Sequence, residues 1–401
     1  MEKRLVKVVP SVLDLEEPEQ DFQGALLAPN EETLLKLDQN EATVSPSPLV
    51  LKALKSSLET KALNCSPDIG SRKLRRKLSH YMGVNFDSIA CYANPAAAME
   101  TIVRTYLQPG LEMLNAWPTD SPFSHYAVST GAKVINIKFK DQFRPKVEEI
   151  IGAKTSKTRL IYLANPSGIS GASLTEAELV FLLSYAENSM VVVDEAYFEF
   201  CGTTVADIIS SFPNLIVLRT FSKGFALAGF DICCLTTDSR NFKFLNKLGY
   251  LKGPNTLAQV AAEAALEDLS YTSELVRQVS QSKKLLFDSL TCRGYDFRIT
   301  SANFFLMRVA DPDGLVKSLA DKNVFVNCLE GIPGFENYVR ITIGTPQQTS
   351  IVLDILGRLA PEQAISSTTD RKDVKPVNRL HSSLKPGSRI VLKKPEGTVQ
   401  S

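Results

Sequence analysis

The stretch LIVLRTFSKGFALAGFDICCLTT, residues 215–237, sets two apolar runs on either side of a turn. LIVLRTF (215–221) and DICCLTT (231–237) read as short buried strands bounded by turn residues. Between them a single lysine, Lys223, stands in an apolar wall, and an acid, Asp231, follows it. Burying an amine is unfavourable unless a partner or a reaction consumes its charge. Working outward, KVINIKF (133–139), RLIYLAN (159–165) and MVVVDEA (190–196) are further runs of the same kind. Helical patterns such as TEAELVFLLSYAENS (175–189) separate them. The alternation predicts crossover units around a mostly parallel, buried sheet, an α/β fold.

From residue 256 the pattern shifts to the helical segments TLAQVAAEAALEDL and SELVRQVSQSKKLLFDSL. These lead into ANFFLMRV, NVFVNCL and YVRITIG, expected as strands of a smaller α+β domain. Residues 1–35 are polar and acidic and read as an irregular N-terminal arm. Residues 36–64 and 256–360 are assigned to the small domain and 65–255 to the large one. The segment 361–401, rich in Ser, Thr, Pro and Lys, reads as a disordered tail.

The chain has 401 residues, 44% of them apolar, enough for a large core. A net charge of +1 gives no global field toward nucleic acid or a membrane surface. Neither a membrane-spanning run nor a secretory h-region is read in the sequence. Seven cysteines without metal-ligand spacing fit a reducing compartment, and the expected location is cytoplasmic. Only His80, His125 and His381 are available as imidazole ligands, so no metal site is expected.

Four polar residues fall where the β/α pattern puts strand C-termini: Asn165, Asp194, Tyr197 and Lys223. In doubly wound sheets ligands gather at those ends. One cofactor accounts for both the buried acid and the buried lysine. Pyridoxal phosphate attaches covalently to a lysine, and it requires a carboxylate against its pyridine nitrogen. An asparagine amide and a tyrosine hydroxyl toward the phenolic oxygen complete the set.

With these residues in place the chain resembles a fold-type I pyridoxal-phosphate aminotransferase of class I/II, of the histidinol-phosphate aminotransferase-like branch. LDQNEATVSPSP, ANPSGISG, VVVDEAYFEF, RTFSKGFALAG and YVRITIGT match that branch's segments in order, across about residues 36 to 358. The resemblance implies a large domain with a mostly parallel seven-stranded sheet, a small α+β domain and a homodimer with sites at the interface. It implies Lys223 as the Schiff-base lysine, Asp194 as the pyridinium partner, and Asn165 and Tyr197 at the phenolic oxygen. It places Thr220 and Ser222 at the phosphate, and Arg340 on a substrate carboxylate, with Asn40 also at the substrate. Arg340 is open to a second reading, as a structural ion-pair partner.

Several positions depart from that pattern. Asp231 replaces an arginine that binds the cofactor phosphate. In ANPAAAME, Asn94 and Pro95 stand where the phosphate loop's backbone N–H donors are expected, Pro95 has no N–H to give, and Pro95 and Ala96 are carried over as phosphate-loop residues. Asp120 replaces an aromatic ring that stacks on the pyridine, and Ser66 replaces a tyrosine that reaches a neighbouring subunit's phosphate. Arg219 and Lys252 are the nearest cations in sequence that could take over the phosphate. The expected reaction is amino transfer between an amino donor and a 2-oxo acid acceptor. The alternatives are a decarboxylase or lyase of the same branch, and a non-catalytic dimeric descendant with impaired cofactor binding. Asp120 and Asp231 add negative charge near where phosphates should lie, which argues against histidinol phosphate as substrate.

Overall fold

A computed structural model of the chain describes residues 9–13, 15, 34–60, 63–139 and 143–358. The expected tail, 361–401, and most of the expected arm lie outside the described residues. Within the arm, Pro10–Leu13 form one exposed helical turn. Seven strands make the main sheet: β1 (Ile89–Tyr92), β2 (Glu112–Trp117), β3 (Lys133–Lys138), β4 (Thr158–Ala164), β5 (Met190–Asp194), β6 (Leu215–Thr220) and β7 (Cys233–Thr237). Their order is β1-β7-β6-β5-β4-β2-β3. The pairs β2–β3, β2–β4, β4–β5 and β5–β6 are parallel, and β7 runs antiparallel to both its neighbours.

The valine run explains why this sheet is buried on both faces. Val191 and Val193 pack with Leu179, Leu182 and Leu183 of helix Glu176–Tyr185 on one face. Val192 packs with Ile102 and Val103 of helix Pro95–Tyr106 on the other. Each fully buried side chain of this size contributes roughly 1.5–3 kcal/mol. Helix Glu176–Tyr185 begins where a capping box satisfies its first donors. Glu178 N donates to Thr175 Oγ1 at 3.3 Å, and Thr175 N donates to Glu178 Oε2 at 2.7 Å.

Two expected strands start or break differently. DICCLTT becomes strand only from Cys233, because Asp231 adopts a left-handed backbone, φ 47°, closing the turn Ala228–Phe230. NVFVNCL splits in two. Val324–Phe325 pairs with Leu35–Lys36, while β10 (Asn327–Cys328) joins an antiparallel sheet of β8 (Asp296–Ile299), β9 (Phe304–Arg308) and β11 (Tyr338–Thr342), in the order β10-β11-β9-β8. The long helix Leu269–Cys292 covers that sheet through Leu275, Val279, Leu286 and Leu290.

Parallel pairing brings Trp117, Ala164, Asp194 and Thr220 to one edge as the last residues of β2, β4, β5 and β6. The antiparallel β7 enters from the same edge, so Asp231 arrives there as well.

Candidate active site

Thr220 ends β6 and the chain turns at once. Ser222 N donates to Thr220 Oγ1 at 3.1 Å, and the two hydroxyls are 2.9 Å apart. Phe221, Phe225 and Leu227 pack into the core on either side and fix the turn that carries Lys223. Gly224 follows because a side chain would collide with Glu199, whose Cγ lies 2.6 Å from an added Cβ. Lys223 Nζ donates to the carbonyl of Gln39 at 2.9 Å. Burial pushes its pKa down, while the Asp120 carboxylate pulls it back up. A lowered pKa increases the share of free amine available for nucleophilic attack.

Asp194 closes β5 at the floor of the same cleft. Tyr162 Oη, from the neighbouring β4, donates to its Oδ2 at 3.0 Å, and Ala196 N donates to Oδ1 at 3.1 Å. Burial raises the Asp194 pKa to about 6, against the pull of these donors. Tyr197 lines the cleft too, its hydroxyl taking a hydrogen bond from Asn40 Nδ2 at 3.0 Å. Pro95, Asp120, Thr220, Ser222 and Asp231 complete the set of expected residues that line this cleft.

Other expected residues stand elsewhere. The Asn165 amide is committed to the main chain of Leu174: Leu174 N donates to Oδ1 at 2.6 Å, and Nδ2 donates to the Leu174 carbonyl at 3.3 Å. It braces the loop after β4 and is not among the residues that line the cleft. Gly168 fills that part of the wall. Ala96 also stays out of the lining. Asn94 caps its helix by accepting from Ala97 N at 2.7 Å. Asn40 sits behind the wall with a left-handed backbone, φ 53°, and positions Tyr197. Ser66 is exposed and likewise outside the cleft lining.

Neither spare cation reaches the cleft. Arg219 forms a buried pair with Glu195 at 2.9 Å and stacks over Phe198 at 3.5 Å. Lys252 pairs with Glu100 at 2.5 Å. Among the described residues, the cleft wall therefore carries three carboxylates, Asp120, Asp194 and Asp231, and one ammonium, Lys223. Arg340 is buried at the edge. Its Nη1 donates to the Gly168 carbonyl at 2.7 Å and Nη2 to the Asp38 carbonyl at 3.1 Å, and Asp120 Oδ2 lies 3.5 Å from Nη1.

Sequence reasoning missed Tyr162, whose phenol holds Asp194. It lies two residues before the end of β4, so period-2 alternation puts it on the face of Ala164. Reading β4 beside β5 pairs Ala164 with Asp194 and brings the phenol within reach. Sequence reasoning also missed Gly168, which makes room for Asp120. Cys233 and Cys234 are buried core residues, as expected for small apolar side chains.

A family model for aminotransferase class I and II matches residues 32–356. The chain is 32% identical to a dihydroxyacetone phosphate transaminase of Campylobacter jejuni over 83% of its own length and 92% of that protein's. It is 32% identical to a histidinol-phosphate aminotransferase of Roseiflexus castenholzii, covering 82% of this chain and 90% of the relative. Its fold is similar to a histidinol-phosphate aminotransferase of Sinorhizobium meliloti crystallised with pyridoxal-5'-phosphate, with a TM-score of 0.77 and 20% identity over 89% of this chain and 99% of that one.

Proposed function

This chain belongs to the class I and II aminotransferases, and we propose that it moves an amino group between an amine substrate and a 2-oxo acid at the Lys223 cleft. Its cofactor is pyridoxal 5'-phosphate. The observation that carries the reading is the convergence of Lys223, Asp194 and Tyr197 on one cleft at the strand C-termini. The ring end of the cofactor fits these three side chains: an amine, a carboxylate held by Tyr162 and Ala196, and a phenol held by Asn40. The phosphate end is served by the Thr220 and Ser222 hydroxyls, with Asp231 opposing.

Bound in this cleft, the cofactor supplies an electron sink that acidifies the carbon bearing the substrate's amine. Asp194 holds the proton-bearing pyridine edge. Lys223 Nζ takes the proton from the substrate carbon, acting as base and then as acid. Tyr197 and Asn40 fix the rim of the cleft during that transfer. No helix among the described residues is long and apolar enough to cross a membrane. The homodimer, the cytoplasmic location and the division into domains at 65–255 and at 36–64 with 256–360 belong to the same proposal.

A second reading, a descendant that has lost catalysis, is favoured by the three carboxylates facing one ammonium. The two separate in one assay. The protein, supplied with pyridoxal phosphate, an amine panel and 2-oxoglutarate, should form glutamate, and Lys223→Ala should form none. Equal, background-level glutamate from both would leave the non-catalytic reading standing.

A further inference from the structure

Arg340 stands in β11 of the small sheet, and Asp120 in the turn between β2 of the large sheet and helix Phe123–Ser129. They meet beside Gly168. A guanidinium has five N–H donors in one plane. Nη1 engages the Gly168 carbonyl at 2.7 Å and Nη2 the Asp38 carbonyl at 3.1 Å, while Nε is buried without a partner. No hydrogen bond among the described residues uses the second N–H of either terminal nitrogen. The fork can therefore still receive a carboxylate through two donors at once. Asp120 does not make that contact. Its Oδ2 lies 3.5 Å from Nη1, beyond the roughly 2.7–3.2 Å of a good N–H···O bond, so charge alone holds it there. The bare Gly168 gives it its seat, because an added Cβ would lie 2.3 Å from Oδ2. The Asp120 side chain is 44% exposed and that of Arg340 is 6% exposed. The acid has water to move into, and the guanidinium is fixed.

We propose that Asp120 is an internal competitor for Arg340: it neutralises the guanidinium while the cleft is empty, and a reactant's carboxylate takes its place by making the two-donor contact that Asp120 lacks. The inference rests on the transaminase reading above and adds the residue that sets how tightly the 2-oxo acid, or an amino donor bearing a carboxylate, is held. Binding breaks the Asp120–Arg340 pair and product release restores it. The pair is broken in the bound ground state and in the transition state alike, so its loss weakens binding without slowing the bound reactant: it raises KM and leaves kcat.

Calorimetry with 2-oxoglutarate on the full chain loaded with pyridoxal phosphate tests this, because that form holds no amine to transfer and reads binding alone. Asp120→Asn should tighten 2-oxoglutarate about fivefold, the effect of releasing one half-exposed ion pair. Asp231→Asn removes a carboxylate from the same cleft but not from Arg340, and should tighten it less than twofold. In turnover, Asp120→Asn should lower the KM for 2-oxoglutarate by a similar factor, with kcat changing less than KM. Unchanged or weaker binding in Asp120→Asn overturns the proposal. Equal tightening by Asp231→Asn also overturns it, since general repulsion of anions would then suffice. A chain that forms no glutamate yet shows the calorimetric contrast fails as a transaminase while the competition at Arg340 stands. Glutamate formation without the contrast sinks the competition alone.

Discussion

Tyr162 Oη donates a hydrogen bond to Asp194 Oδ2 at 3.0 Å, joining the last turn of pleat in one buried strand to the end of the next. The phenol is fully buried and stacked on Phe123 at 4.6 Å between ring centroids. Hydrogen bonds to a charged acceptor contribute about 1.5–3 kcal/mol. Tyr162→Phe keeps the stacked ring and removes only the donor. It should lower the affinity for pyridoxal phosphate about tenfold with the circular dichroism spectrum unchanged, and an affinity within twofold of the parent would detach Tyr162 from the site.

Asp194 gives the cofactor-free protein a pH signature. Its pKa is raised to about 6 in the fold, by burial above all. Between the unfolded carboxylate range, near 4, and about 6 the folded state holds more protons than the unfolded one. Stability from this group is therefore lost as pH rises through that window, and is flat above it. Asp194→Asn should remove the decline and stabilise the cofactor-free chain at pH 7 by at most ~3 kcal/mol, less whatever solvent in the cleft screens. Urea unfolding at pH 4.5 and pH 7 reads the difference, and a variant less stable than the parent at pH 7 contradicts the cause assigned.

Arg219 supports the fold behind the lysine turn. Its Nε donates to Glu195 Oε2 at 3.0 Å and its Nη2 to Thr204 Oγ1 at 2.7 Å. Removing one partner of a buried pair leaves the other uncompensated, at a cost of roughly 3–5 kcal/mol. Arg219→Ala should lower the urea midpoint accordingly. A large loss of cofactor affinity with stability intact would return Arg219 to the phosphate.

Asp231 opposes a dianion, and its backbone, φ 47°, limits what can replace it. Asparagine tolerates the left-handed region, so Asp231→Asn removes the charge without new strain. Cofactor titration should show roughly tenfold tighter binding, the effect of one partly screened unit charge. Unchanged or weaker binding would mean that Asp231 does not face the phosphate.

The main sheet was legible in the sequence because its central strands are continuous β-branched runs, as VVV at 191–193 shows. Strands β1 and β2, IACY and EMLNAW, lack that composition, and only their pairing in the sheet makes them strands. Lys223, Asp194 and Tyr197 could be found because their types are demanded by one chemistry at strand ends. The bond from Leu174 N to Asn165 Oδ1 was not legible, because residue type does not fix side-chain direction. The Asp120–Arg340 contact was not legible either, since it joins residues 220 positions apart across Gly168.

The account turns on Lys223 as the cofactor's attachment point. The protein incubated with pyridoxal phosphate, reduced with borohydride, digested and sequenced by mass spectrometry should carry the pyridoxyl mass on Lys223, and Lys223→Ala should carry none there. A label on another lysine, or no label at saturating cofactor, would contradict it.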